Sequence, residues 1–280
     1  MVTIVADTTA SLPKELYPKL GIPLLPQIII FGNEEFRDDT EMDTASFLQK
    51  LRSSSILPKT SAPSPAHYRP VLQKYTESGG SVVILVPSGL VSGTFRGATE
   101  GAKEFPGEDI RIIDTQTIAG GLGTLVLEAQ KWAEQGLNSV KIAENVKKLA
   151  AREKVYFLVN TLEYLHKGGR IGGAQALVGS LLQVKPILTL RNGKVDQAES
   201  QRTKKKAFAR LIELVLENCP HDDSALISVS HCDAEADAKE LKRVFEETLG
   251  ISNIPIYELP PAIVVHAGPG ALSVSYFVKE

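Results

Sequence analysis

At 280 residues, a prior of ~150 residues per domain gives two domains, and a chain of this size buries on the order of 75% of its unfolded surface without any disulfide or metal staple. With 43% hydrophobic and 23% charged residues, 22 glycines and 16 prolines, the composition excludes collagen-like, coiled-coil and wholly disordered classes. The 31 basic and 33 acidic residues leave a net charge of -2, which excludes a general electrostatic footprint for nucleic acid.

Residues 2–6 read as a first strand ending at Asp7, with no basic segment before it, so no secretory signal is expected. The apolar stretch over 24–31 falls short of the ~20 residues that span a bilayer, and Pro26 and Gln27 interrupt it. Phe31-Gly32-Asn33-Glu34 reads as a hairpin turn. Asp43 caps a helix over 44–52, and Ser64 with Pro65 opens another, which Pro70 is expected to kink or shorten. Strands follow at 82–86 and 110–113, then a helical pair at 120–135 and 139–151, the second capped by Asn138. After a strand at 155–159 come a hairpin at Arg191-Asn192-Gly193-Lys194, helices near 203–218 and 234–249, and strands at 225–229 and 254–257. The apolar run 263–265 is read as a strand end from which His266 emerges beside Gly268-Pro269-Gly270. The alternation predicts an α/β protein with mixed sheets, in two α/β domains at 1–152 and 153–280. Cys219 and Cys232 form no C-x-x-C pair and read as core thiols rather than a zinc or disulfide framework.

Four polar stretches fall where strands should end, the usual place for ligand sites in open α/β sheets. They are Asp7-Thr8-Thr9, Thr60-Ser61-Ala62-Pro63-Ser64-Pro65, Ser88 to Thr94, and His266 to Gly270. Ser92-Gly93-Thr94 opens a helix, so its hydroxyls and amides suit a carboxylate or phosphate; an ordinary serine cap would satisfy the same amides with no ligand. The Ser64-Pro65 helix start explains half of its stretch, leaving the hydroxyls of Thr60 and Ser61 as candidate donors to an anion. His266 reads equally as a site residue or a structural partner. Thr60, Ser61, Ser92, Gly93 and His266 are the candidate anion-site residues, and Thr60, Ser61, Ser92 and His266 are expected to converge at one point between the domains.

Other patterns fail. Gly121-Leu122-Gly123 lacks the third glycine of the dinucleotide fingerprint, no phosphate-binding loop of the G-x-x-x-x-G-K-[ST] type occurs, and no paired His or Cys set suggests a metal. Ser92 has Leu90 and Thr94 where a nucleophile elbow needs glycines, so a serine hydrolase using Ser92, His266 and Asp7 on acyl esters is the alternative reading. Gly168-Gly169-Arg170-Ile171-Gly172-Gly173 offers a guanidinium on a loop of four glycines, expected to project from the surface. Arg202 and Lys204 begin a second basic patch, which is also explained by a solvated helix start; with Arg170 it points to docking against something acidic or phosphorylated.

These stretches, in this order, resemble the DegV family of bacterial fatty-acid-binding proteins. The resemblance is carried by Ile4-Val5-Ala6-Asp7-Thr8-Thr9, the 60–65 and 88–94 stretches, Ile113-Asp114-Thr115 with Gly120 to Gly123, Thr161 to Ile171, Lys185-Pro186-Ile187-Leu188, and His266 to Gly270, and it covers essentially the whole chain. It implies a two-domain α/β binder holding a long-chain fatty acid in a tunnel between the domains, with the carboxylate on Thr60 and Ser92 and with His266 nearby. It further implies the acyl-carrying subunit of a fatty acid kinase, whose separate ATP-binding subunit phosphorylates the carboxylate and meets Arg170. On that reading the chain is cytoplasmic and needs no cofactor, is not catalytic alone, and allows transient membrane contact. His67-Tyr68 stands where the resemblance leads one to expect phenylalanine, a change expected to bear on tunnel width.

Overall fold

The computed structural model describes residues 1–179 and 184–279. Its first strands are runs of branched residues buried on both faces, which is what a parallel sheet covered by helices requires. β1 (Val2–Asp7) and β2 (Leu24–Leu25) are followed by β3 (Ile28–Phe31), β4 (Glu34–Arg37) and β5 (Lys59–Ser61), then β6 (Ser81–Val86) and β7 (Ile110–Asp114). The helices among them are α1 (Leu16–Leu20), α2 (Thr44–Ser53), α3 (Pro65–Thr76), α4 (Thr94–Ala102), α5 (Gly120–Glu134) and α6 (Ser139–Ala150). A parallel four-stranded sheet runs β2-β1-β6-β7. Its core with α5 and α6 holds Ile4, Val83, Leu122, Val126 and Ile142; the opposite core, with α3 and α4, holds Val5, Ile84, Tyr68 and Leu72. A separate antiparallel sheet, β4-β3-β5, turns through Gly32, whose φ of +60° suits a two-residue hairpin.

The rest of the chain supplies β8 (Glu153–Leu158), β9 (Lys185–Arg191), β10 (Lys194–Gln201), β11 (Ser228–His231), β12 (Ile256–Glu258) and β13 (Leu272–Phe277). They form a mixed sheet in the order β10-β9-β8-β13-β11-β12, in which only β11 and β12 are parallel neighbours. Helices α7 (Glu163–Lys167), α8 (Lys204–Leu216), α9 (Glu235–Leu249) and α10 (Pro261–Ala267) complete the set. One face of this sheet packs α8 and α9 through Leu211, Val215, Leu241 and Phe245. The β9–β10 hairpin turns through Asn192 and Gly193, both at positive φ, as predicted from that dipeptide. Its tip reaches the other sheet, where Ser88 Oγ donates to Gly193 O at 2.7 Å. Cys219 and Cys232 are buried free thiols in separate cores.

Three expectations are corrected. The run 263–265 is not a strand but the middle of α10, which starts with Pro261 in its first turn; Val264 and Val265 pack with Ile29 and Phe47 between the small sheet and α2. Each such buried valine is worth on the order of 1.5–3 kcal/mol, enough to override the strand preference of branched residues. Pro70 does not end α3, which continues to Thr76; Pro70 and Ala66 are exposed, so water can serve the carbonyl left without its amide. Strand β11 begins at Ser228, because Asp223–Ala225 is a 3-10 turn.

Candidate functional site

Four local contacts close a ring around one point. Thr60, on β5, places its Oγ1 2.8 Å from His266 Nε2 on α10. The Nδ1 edge of the His266 ring lies against Gly168, where any Cβ would overlap Nδ1. Two residues on, Arg170 donates from Nη1 to Gly168 O at 2.7 Å and from Nε to Val91 O at 3.0 Å. Val91 leads into Ser92-Gly93, and a Cβ on Gly93 would stand 3.4 Å from Ala62 Cβ, two residues beyond Thr60. The ring thus joins the 60–63, 91–93, 168–170 and 266 segments, which the chain separates widely.

Within the ring, charge is controlled by burial. His266 is pushed down to about 4, first by burial and then by the Arg170 charge, so the ring is neutral near pH 7. Its Nδ1 is buried with no hydrogen-bond partner among the described residues. A protonated Nδ1 would leave a buried N–H with no acceptor beside the charge of Arg170, so the proton belongs on Nε2, which donates to Thr60 Oγ1. Thr60 then keeps its own hydroxyl proton for another acceptor.

Behind Ser92 lies a buried polar layer. Ser92 Oγ is 2.9 Å from Thr94 Oγ1, and Gln27 Nε2 donates both to Thr94 Oγ1 at 2.9 Å and to Asp7 Oδ2 at 2.7 Å. Asp7 also accepts from the amide and hydroxyl of Thr9. Asp38 accepts from Thr8 Oγ1 at 2.7 Å and from the Gln27 amide at 2.8 Å. Burial raises both carboxyls, Asp38 to about 7.

An apolar cavity of about 100 Å³ opens beside the ring, walled by Val91, Phe157, Leu165, Leu190, Val195 and Ile263, with Arg170 and His266 at its polar margin. A larger cleft of about 570 Å³ lies elsewhere, but Glu15, Glu41, Asp43 and Glu258 line it, a wall unsuited to an apolar ligand. No group of three or more His, Cys, Asp or Glu among the described residues could hold a metal ion. No helix among them is long and apolar enough to cross a membrane.

The candidates divide accordingly. Thr60, Gly93 and His266 belong to the ring, and Ser92 lies between Val91 and Gly93. Ser61 does not join them, because strand alternation turns it to the opposite face of β5, where it is exposed. Arg170 does not project freely: it is half-buried between two loops. Arg202 and Lys204 are exposed, Lys204 pairing with Asp237 at 3.0 Å. Arg202 lies seven residues beyond the cavity-lining Val195, roughly 20 Å along an extended strand, at the end of β10 away from the hairpin tip. His67 caps its own helix through Ser64, and Tyr68 is buried under Gly101 rather than in the cavity wall, so neither sets its width. The three residues of the hydrolase alternative hydrogen-bond to other partners: Ser92 to Thr94, His266 to Thr60, and Asp7 to Thr9 and Gln27. Gln27 and Asp38 were missed. The signal for Gln27 was its place as the polar interruption of an apolar run; Asp38 sits among exposed charges and gave none.

A neutral histidine bonded to a threonine hydroxyl beside an apolar cavity gives this mixed α/β protein a candidate small-molecule site with a polar end and an apolar body. The chain belongs to the DegV family: the family model described as "uncharacterised protein, DegV family" matches residues 1–279. A DegV domain-containing protein from Streptomyces coelicolor is 37% identical over 278 residues, covering 98% of this chain and 97% of the relative. Among solved structures, a fatty-acid-binding DegV family protein from Thermus thermophilus superposes with a TM-score of 0.90 at 32% identity, covering 99% of each chain. A stearic-acid-binding protein from Eubacterium ventriosum superposes with a TM-score of 0.88 at 25% identity, covering 100% of this chain and 99% of that one.

Proposed function

We propose that this protein binds a long-chain fatty acid, with the carboxylate on the hydroxyls of Thr60 and Ser92 and the tail in the apolar cavity. The observation that carries the reading is the Thr60–His266 pair, a hydroxyl on a neutral imidazole at the margin of an apolar cavity, with Ser92 next in the chain to the cavity-lining Val91. The cavity is smaller than the ~150 Å³ void that admits benzene, so the tail enters by parting its walls into a tunnel between an N-terminal domain, residues 1–152, and a C-terminal one, residues 153–280. Each buried CH₂ contributes ~0.8 kcal/mol, so the tail supplies affinity and the hydroxyls supply orientation. The chain then acts as a carrier in the cytoplasm. It takes up the acid, by transient membrane contact or from solution, and presents the carboxylate to a separate ATP-binding kinase subunit that forms the acyl phosphate. Arg202 and Lys204 are exposed for that encounter, and Arg170 retains N–H groups beyond the two it uses within the fold. Competition by acids of graded length against a fluorescent fatty acid tests the binding step. Affinity is expected to rise by up to roughly fourfold per CH₂ until the tunnel is filled. Length-independent binding, or ester turnover that Ser92→Ala abolishes, would overturn it in favour of the hydrolase.

A further inference from the structure

Ser92 is held at the end of a chain of hydrogen bonds whose direction can be worked out by counting protons. The side-chain amide nitrogen of Gln27, which is buried, has two protons, and both are used, one on Asp7 Oδ2 and one on Thr94 Oγ1. With Asp7 ionised, the state that the two Thr9 donors on Oδ1 and the Gln27 donor on Oδ2 favour against the burial that raises it, the nitrogen of Gln27 and not its oxygen faces Oδ2. Thr94 Oγ1 therefore receives a proton from Gln27 and has its own to give. Asp7 lies near enough to Thr94 to interact with it, but their side chains form no hydrogen bond of ordinary geometry, whereas Ser92 Oγ stands 2.9 Å from Thr94 Oγ1. The Thr94 backbone amide also points at Ser92 Oγ, at 3.3 Å. Ser92 thus accepts twice, filling both of its lone pairs, and its only free capacity is its proton.

We infer that Gln27, acting through Thr94, is a positioning residue that fixes Ser92 as a hydrogen-bond donor and so makes the head-group site select an anionic carboxylate over a primary alcohol with the same tail. The inference rests on the fatty-acid reading above. A carboxylate has only acceptors to offer and is matched by the free protons of Ser92 and Thr60. An alcohol brings a proton of its own, which this Ser92 has no lone pair to receive.

The polarity can be reversed while the charge is kept. In the double variant Asp7→Asn/Gln27→Glu, the layer still holds one carboxylate and one amide. The new amide at position 7 donates to the new carboxylate at position 27, and that carboxylate accepts from Thr94. Thr94 must then accept from Ser92, which turns a lone pair toward the ligand. Palmitate and hexadecanol are the probes, each measured by displacement of a fluorescent fatty acid, with thermal unfolding in parallel. The double variant is expected to lower the preference for palmitate over hexadecanol at least tenfold relative to wild type. Thr94→Val, which removes the relay, should lower it as well, and Thr94→Ser should restore it; this pair keeps the test decisive if the double variant does not fold. A wild-type preference in the double variant or in Thr94→Val overturns the inference and leaves the fatty-acid reading standing. Binding of neither probe by the wild-type protein overturns that reading itself.

Discussion

A methyl group at position 168 is expected to do more damage than one at 169, although both are loop glycines. At Gly168 φ is ordinary, but a Cβ would overlap His266 Nδ1 and crowd Tyr164 O, whereas at Gly169 the space is open and only the φ of +71° opposes it. Gly168→Ala should cost about 1–3 kcal/mol by overpacking and push the imidazole off Thr60, weakening fatty-acid binding. Gly169→Ala should cost about 1–2 kcal/mol in backbone strain with binding retained. Denaturant unfolding and a binding titration on the pair separate the two effects; equal loss of binding in both would show that the 168–266 contact does not position the ring. His266 itself imposes a pH dependence of known sign. Its folded value, about 4, lies below the unfolded 6.5, so the unfolded chain takes up the proton first. The stability it contributes is full above pH 6.5, declines as pH falls toward 4, and amounts to about 3 kcal/mol at most. His266→Asn should flatten that part of the profile, read as the difference from wild type in urea unfolding between pH 7 and 5.

At the scale of elements, the join between the first half of the chain and the large sheet is a buried carboxyl. Glu153, at the start of β8, accepts at the same oxygen from Thr117 and from Ser275 on β13, each at 2.7 Å, and it faces Gly121 in the first turn of α5. Burial pushes it up to about 7, against the lowering effect of the two hydroxyls. A carboxyl raised in the fold stabilises below its unfolded value, and that contribution is lost as pH rises through the folded one. Wild type should therefore lose up to about 3 kcal/mol between roughly pH 4.5 and 7 relative to Glu153→Gln, whose amide oxygen can still accept both hydroxyls. A profile unchanged by the substitution would mean that Glu153 is ionised throughout. The elements themselves were largely legible. The strands at 82–86 and 110–113, the caps at Asp43 and Asn138, and the Asn192-Gly193 turn all carry local signals that the packing reinforces. α10 was not, because Ile263, Val264 and Val265 favour a strand locally and become helical only through the core they share with Ile29 and Phe47. The same limit applies to the site. Thr60, Ser92 and His266 stand in recognisable stretches, as do Asp7 and Thr94, but nothing local to Gln27 or Asp38 says that the fold will join them to those two in one buried layer. Ser61 was misjudged because the motif does not state which way a strand faces.

Over the whole molecule, the two large sheets meet beside the ring, and on the proposed function the basic residues divide between holding the ligand and meeting the partner. Arg170 bonds to carbonyls on both sides of that meeting, while Arg202 and Lys204 stand clear of it. Arg202→Ala and Lys204→Ala should leave fatty-acid binding within about twofold, since exposed charges contribute little to such a fold, and should slow acyl-phosphate formation by the kinase subunit. Arg170→Ala should weaken both. Unchanged acid retention in Arg170→Ala, with phosphorylation alone reduced, would return this residue to a docking role only. The binding and phosphorylation expectations depend on an acyl chain lying between the sheets. The direct measurement is native mass spectrometry of the protein as purified, followed by extraction and identification of whatever it carries. The account predicts a mass increment of one long-chain fatty acid per chain, diminished in Thr60→Val/Ser92→Ala; a protein that carries no acyl chain and takes up none when offered palmitate contradicts it.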